Sequence, residues 1–278
     1  MPDFFFMHSK KSYQSELEEQ VLSDAGRYFD IYRNRAERLF GVDISEYKIE
    51  PHSEHKKYIK QFFNEAMKGK IEMNILEKLI FQITVEMVEK YHRNNSLGVC
   101  VEGRIYINEK LMVAKYVDSI LRDYHVANTV LHEVLHAVHD KTHPFLKDLM
   151  HGKNDESLII TKTFTEGFAT YMSSKIMVDD FLALRDFKHL SLKNEGSFPE
   201  RTGSLMSNLH NDSQFYTFLR NKLLFASCKV YYSEGFKLFN EVDCALGFDG
   251  ILKALKNPPA SLLHINYPKV YVEYLRRC

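Results

Sequence analysis

Neither sign of charge is in excess in this chain: Lys plus Arg number 37, Asp plus Glu number 37, and the formal net charge is zero. Binders of nucleic acid or anionic membrane concentrate Lys and Arg, so neither is the expected partner. Cysteine is scarce. Cys100, Cys228, Cys244 and Cys278 stand far apart with no C-x-x-C pair, which excludes a zinc ribbon and a dense disulfide framework. The expectation is isolated, mostly buried thiols in a reducing compartment. Long apolar runs are missing as well. No stretch of about 18 uncharged apolar residues exists, so no transmembrane helix is expected. The run Phe4-Phe5-Phe6-Met7 is too short for a secretory h-region, and charge follows it rather than precedes it. A cytoplasmic protein is the expectation.

Against these lacks, the hydrophobic content of 45% is that of an ordinary globular protein, enough for one sizeable domain or two lobes. No internal repeat or low-complexity tract interrupts it.

The chemistry is concentrated at His132-Glu133-Val134-Leu135-His136, an H-E-x-x-H motif. Around it, Val130, Leu131, Val134, Leu135 and Val138 fall at helical spacing and make an apolar stripe. Residues four apart differ by about 40° around a helix, so both imidazoles face one way, one turn apart. Two neutral nitrogens in that arrangement suit one Zn²⁺. Glu133, beside the first ligand, is placed to take a proton from a water at the metal. Buried histidines need partners, and a shared metal satisfies two at once.

Catalytic zinc usually keeps three protein ligands and one open position. A third histidine six residues on, with glycine three residues on, would mark a metzincin; those positions hold Thr142 and His139. His139 and His143 lie on nearly the same face, but a helix wraps away from a single ion over that length. Glu166, in Thr165-Glu166-Gly167-Phe168-Ala169-Thr170-Tyr171, is the favoured third ligand. It lies 30 positions after His136, room for one helix to end and a second, over Leu158–Val178, to return across it. Gly167 and Ala169 keep that helix low enough for a close crossing. Thr163-x-x-Glu166 also fits a capping box, but Asp155 is the better helix start, which leaves Glu166 in the interior.

With these residues in place, the chain resembles the gluzincin metallopeptidases, whose zinc is held by the two motif histidines and a downstream glutamate. The E-G-F-A-x-Y run at Glu166 is similar to the third-ligand helix of the aminopeptidase branch of that class. The resemblance covers about residues 128–175. It implies His132, His136 and Glu166 as zinc ligands and Glu133 as general base. Tyr232-x-x-Gly235-Phe236, Pro258-Pro259-Ala260-Ser261 and Tyr267-Pro268-Lys269-Val270-Tyr271 are similar to the tail of some uncharacterised gluzincin-like families.

The chain also departs from the class. No G-x-M-E-N element precedes the motif and the spacing to Glu166 is longer, so aminopeptidase specificity does not transfer. Thermolysin-like enzymes carry an aspartate four residues after the third ligand; here Thr170 stands there, and Asp140, Asp148 and Asp155 are the alternatives.

The resulting expectation is an α+β, predominantly α-helical, zincin-like fold. Residues 1–95 form a helical N-terminal region, 96–190 the zincin core and 191–278 a helical C-terminal lobe, together one compact catalytic unit. Helices are expected over Ser15–Phe40, through Ile75–Val88, and over Phe215–Tyr232 and Asp249–Lys256. Lys48–His55 reads as a polar connection in which His52 and His55, three apart, are solvated rather than metal-bound. Leu97–Asn108 reads as a β-hairpin around Glu102-Gly103. A strand beside the zinc helix can either bind an extended peptide by its edge or serve structure alone. Asn194–Gly203 reads as a loop.

The expected reaction is hydrolysis of a peptide or protein substrate through a zinc-activated water, with Glu133 as general base. The oxyanion needs a second electrophile. Tyr231, Tyr232, His210 and Tyr216 are candidates, and Tyr232 is favoured for its Y-x-x-G context. The alternatives are a catalytically silent binding or scaffold protein, or a zinc hydrolase of a non-peptide amide.

Overall fold

The computed structural model describes residues 3–55, 57–58, 86, 90, 93–101, 103–143, 155–181 and 229–278. The chain divides into two compact units, Met1–Lys141 and Thr142–Cys278. Among the described residues it is predominantly helical, with one small three-stranded sheet. Among the described residues no helix is long and apolar enough to cross a membrane.

In the first unit, α1 (Asp3–Phe40) buries Val21, Ala25, Tyr28, Phe29, Tyr32 and Ala36, a stripe at three- and four-residue spacing. The helix starts twelve positions before the expected Ser15. It stops at Gly41, whose φ of 66° lets its N–H turn back to the Glu37 carbonyl at 2.9 Å. The chain then forms β1 (Lys48–Pro51). This corrects the expected polar connection. β1 pairs in parallel with β3 (Arg104–Ile107), from Lys48↔Arg104 to Pro51↔Ile107. Four residues ending in proline carry little strand signal of their own, and the partner strand is distant in sequence.

The expected hairpin is present: β2 (Gly98–Val101) pairs antiparallel with β3 through a turn where Gly103 has φ 78°. Strand order is β1-β3-β2, so β3 is central and β2 an edge. Ile105, Tyr106 and Ile107 of β3 are buried. His55 is buried rather than solvated, its ring 4.9 Å from that of Tyr106. The apolar face of β3 draws the imidazole in.

Asn108 then caps α2 (Glu109–Lys115), accepting from the Leu111 N–H at 3.1 Å. Its amide donates to the carbonyls of Arg93 and Ser96, fixing the chain on either side of the hairpin. Asp118 likewise accepts from the Leu121 N–H at 2.8 Å at the start of α3 (Ser119–Thr142). Val130, Leu131, Val134, Leu135 and Val138 are all buried, as the periodicity predicts. The Tyr28 hydroxyl donates to Asp123 at 2.7 Å and ties α1 to α3. Near the start of α3, His125 stacks on Tyr116 with ring centroids 3.8 Å apart. Burial, and then the charge of Lys115, pull the His125 pKa down to about 4.

The second unit is built on α4 (Asp155–Phe181) and α5 (Lys229–Lys256). α4 begins at the expected Asp155. α5 runs through what the sequence reading left as a gap between two helices, and kinks at Gly247, where φ is 66°. Phe164 and Phe168 of α4 pack on Phe239 of α5, with centroids 5.0 and 5.6 Å apart. α6 (Leu262–Asn266) and α7 (Pro268–Arg277) close the unit. Pro268 opens α7, where a missing N–H costs nothing. Buried Tyr271 donates to the Asn257 carbonyl at 2.8 Å, joining α7 to the end of α5.

Cys244 and Cys278 are exposed, not buried as expected: Cys278 is the last residue and Cys244 lies on the outer side of α5. The Ile75–Val88 stripe, apart from Glu86, and Asn194–Gly203, Cys228, His210, Tyr216, Asp148 and the 190/191 boundary lie outside the described residues.

Candidate metal centre

α3 carries His132, Glu133 and His136 in regular helix, so their directions follow from helix geometry. The two Nε2 atoms are 3.1 Å apart and the rings meet at 84°. Two nitrogens about 2.05 Å from a tetrahedral zinc are about 3.3 Å apart, so the pair fits a common ion. Both imidazoles are partly buried.

Glu133 is 5% exposed. It lies under β2. A Cβ placed on Gly98 would come within 2.9 Å of the Glu133 Cγ, 3.0 Å of its Oε1 and 2.6 Å of the Thr129 methyl carbon. The edge strand therefore rests directly on the helix that carries the motif, and a side chain at position 98 would have to displace those of Thr129 and Glu133. The sequence reading passed over Gly98. A glycine opening a strand is the signal that could have found it.

Glu166 lies inside α4, eleven residues past its start, which disposes of the capping-box reading. It is 7% exposed. The Lys162 ammonium donates to its Oε1 at 2.9 Å, with only 16% of the Lys162 side chain and 9% of the Glu166 side chain exposed. The sequence reading missed Lys162 too. A Lys four residues before a Glu on a helix was the available sign, but it reads as an ordinary surface pair.

His132 and His136 of the first unit and Glu166 of the second make a set of side chains that could hold a metal ion. Among the described residues this is the group of three or more His, Cys, Asp and Glu side chains that meets that condition. His139 and His143 are buried and do not belong to it. Burial lowers the pKa of His143. Asp140, one of the carboxylates considered for orienting a ligand, lies close enough to buried Tyr47 that its charge adds to burial in raising the tyrosine pKa.

The close approach expected at Gly167 is made, but to α5. A Cβ on Gly167 would lie 2.3 Å from the Gly235 Cα. Glu166, one residue earlier, is turned about 100° away from that contact. Tyr232 stands in the first turn of α5 and is 40% exposed.

No family model matches the chain, and no curated protein and no solved structure matches it.

Proposed function

We propose that the protein is a zinc-dependent metallopeptidase of the gluzincin kind, with a zincin-like fold. The observation that carries the reading is the pair of Nε2 atoms 3.1 Å apart on α3 with the buried Glu133 carboxylate between them in sequence. A purely structural zinc has no use for a base beside its ligand.

His132, His136 and Glu166 would hold the ion. Zinc, when bound there, lowers the pKa of a water toward about 7 and polarises the scissile carbonyl. Glu133 accepts the water proton and returns it to the leaving amine. Its shielding under Gly98 keeps the carboxylate in one orientation, which general-base catalysis requires. Tyr232, half-exposed in the first turn of α5, donates a hydrogen bond to the developing oxyanion. The peptide substrate lies against the edge of β2, whose outer side is not paired among the described residues. The exposed thiols of Cys244 and Cys278 suit a reducing, cytoplasmic setting.

The test pairs zinc stoichiometry with cleavage. Wild type is expected to hold one zinc and cleave casein or a peptide library. Glu133→Gln is expected to keep the zinc and lose cleavage, and Glu166→Ala to lose the zinc. A Glu133→Gln protein that still cleaves would sink the reading.

A further inference from the structure

We propose that Lys162 is an internal cation that holds the Glu166 carboxylate in the metal-free protein and competes with the metal for it. The inference rests on the metal reading of His132, His136 and Glu166 given above. Its own ground is the ion pair within α4: 2.9 Å between Nζ and Oε1, one turn apart, both side chains largely out of water.

Helix electrostatics do not account for the pair. Lys ahead of Glu at four-residue spacing is the less favourable order on a helix. Burial raises the stakes instead. A carboxylate out of water needs a partner, and removing that partner leaves an uncompensated buried charge. Lys162 is such a partner, on a stem flexible enough to yield it.

Lys162 acts on metal binding in two opposing ways. By holding Oε1 it fixes the carboxylate rotamer, which saves the entropy of ordering one side chain. Against that, its unit charge repels an incoming dication with twice the strength of a single-charge pair, in surroundings that screen poorly. With both side chains largely out of water, we take the repulsion as the larger effect. Lys162 therefore offsets the Glu166 charge and raises the metal concentration at which the site fills. A binding site thus gains a loading threshold from a residue that is not itself a ligand.

The experiment compares wild type, Lys162→Met, Lys162→Gln, Lys162→Arg and His132→Ala. Zinc and cobalt affinities are measured by chelator competition, and melting temperatures with and without zinc. The neutral variants are expected to bind zinc about tenfold or more tightly than wild type. Their metal-free melting temperature should fall, so the rise on adding zinc should grow. Lys162→Arg should bind as wild type does. If Lys162→Met misfolds, Lys162→Gln gives the same reading. Equal or weaker zinc binding by the neutral variants overturns the competition, while a centre abolished by His132→Ala still stands. Zinc binding that is absent from wild type and every Lys162 variant, or that His132→Ala leaves unchanged, overturns the metal reading and this inference with it.

Discussion

Gly167 of α4 and Gly235 of α5 meet backbone to backbone: a Cβ on either would fall within 2.5 Å of the other's Cα, and one on Gly235 within 2.1 Å of the Thr163 carbonyl oxygen. The obstructing atoms are main chain and cannot rotate aside. Gly167→Ala and Gly235→Ala should each force the helices apart, costing about 3 kcal/mol or more. Urea denaturation of each variant checks this. A loss below about 0.5 kcal/mol would mean the crossing is soft.

Gly98 makes a different kind of contact. Its neighbours are the side chains of Thr129 and Glu133, which can shift. Gly98→Ala should leave the fold and the zinc content near wild type while moving the Glu133 carboxylate. Misplacing a catalytic group by about 1 Å costs on the order of a hundredfold in rate, so kcat should fall by about that factor. Steady-state kinetics beside metal analysis separates this from loss of the ion. A drop in zinc content would refute it.

Tyr232 is exposed in the first turn of α5. If the hydroxyl steadies the oxyanion, Tyr232→Phe should lower kcat on the order of a hundredfold with KM little changed. An unchanged kcat would remove Tyr232 from the mechanism and turn attention to Tyr231, the other described candidate.

His125 gives the metal-free protein an acid sensitivity. Its folded pKa of about 4 lies below the ordinary value of 6.5, chiefly through burial. Between those values the unfolded chain binds the extra proton, so stability rises with pH there. The contribution is fully present above pH 6.5 and is lost as pH falls through about 4. Allowing for partial solvent screening, the loss should be on the order of 2 kcal/mol. Buried His143 and partly buried His264 act in the same direction. His125→Phe should flatten the stability profile between pH 6.5 and 4, read by chemical denaturation at several pH values. An unchanged slope would assign the effect to the other histidines.

The motif helix and the Glu166 helix could be read from sequence because each repeats apolar residues for many turns, and that period is a local property. The hairpin could be read because its strands are adjacent and its turn glycine marks the reversal. β1 could not: four residues with a terminal proline become a strand only by pairing with β3. The same limit applies at the site. His132, Glu133 and His136 announce themselves by spacing within one helix turn. Gly98 matters only for what lies beneath it, and Lys162 only because its surroundings are dry. Gly167 was rightly marked as a point of close approach, but a glycine does not say which helix it meets.

The two pairings of the small sheet differ in how much chain they must gather. β2 and β3 are joined by a turn at Gly103 and can zip together within microseconds. β1 reaches β3 only after everything between Pro51 and Arg104 has been drawn into a loop, and that closure carries a larger entropic penalty. The sheet is therefore expected to assemble inside out, hairpin first and parallel strand last. Because Gly98 belongs to the hairpin, the cover over Glu133 comes from the part of the sheet that needs the least chain to close.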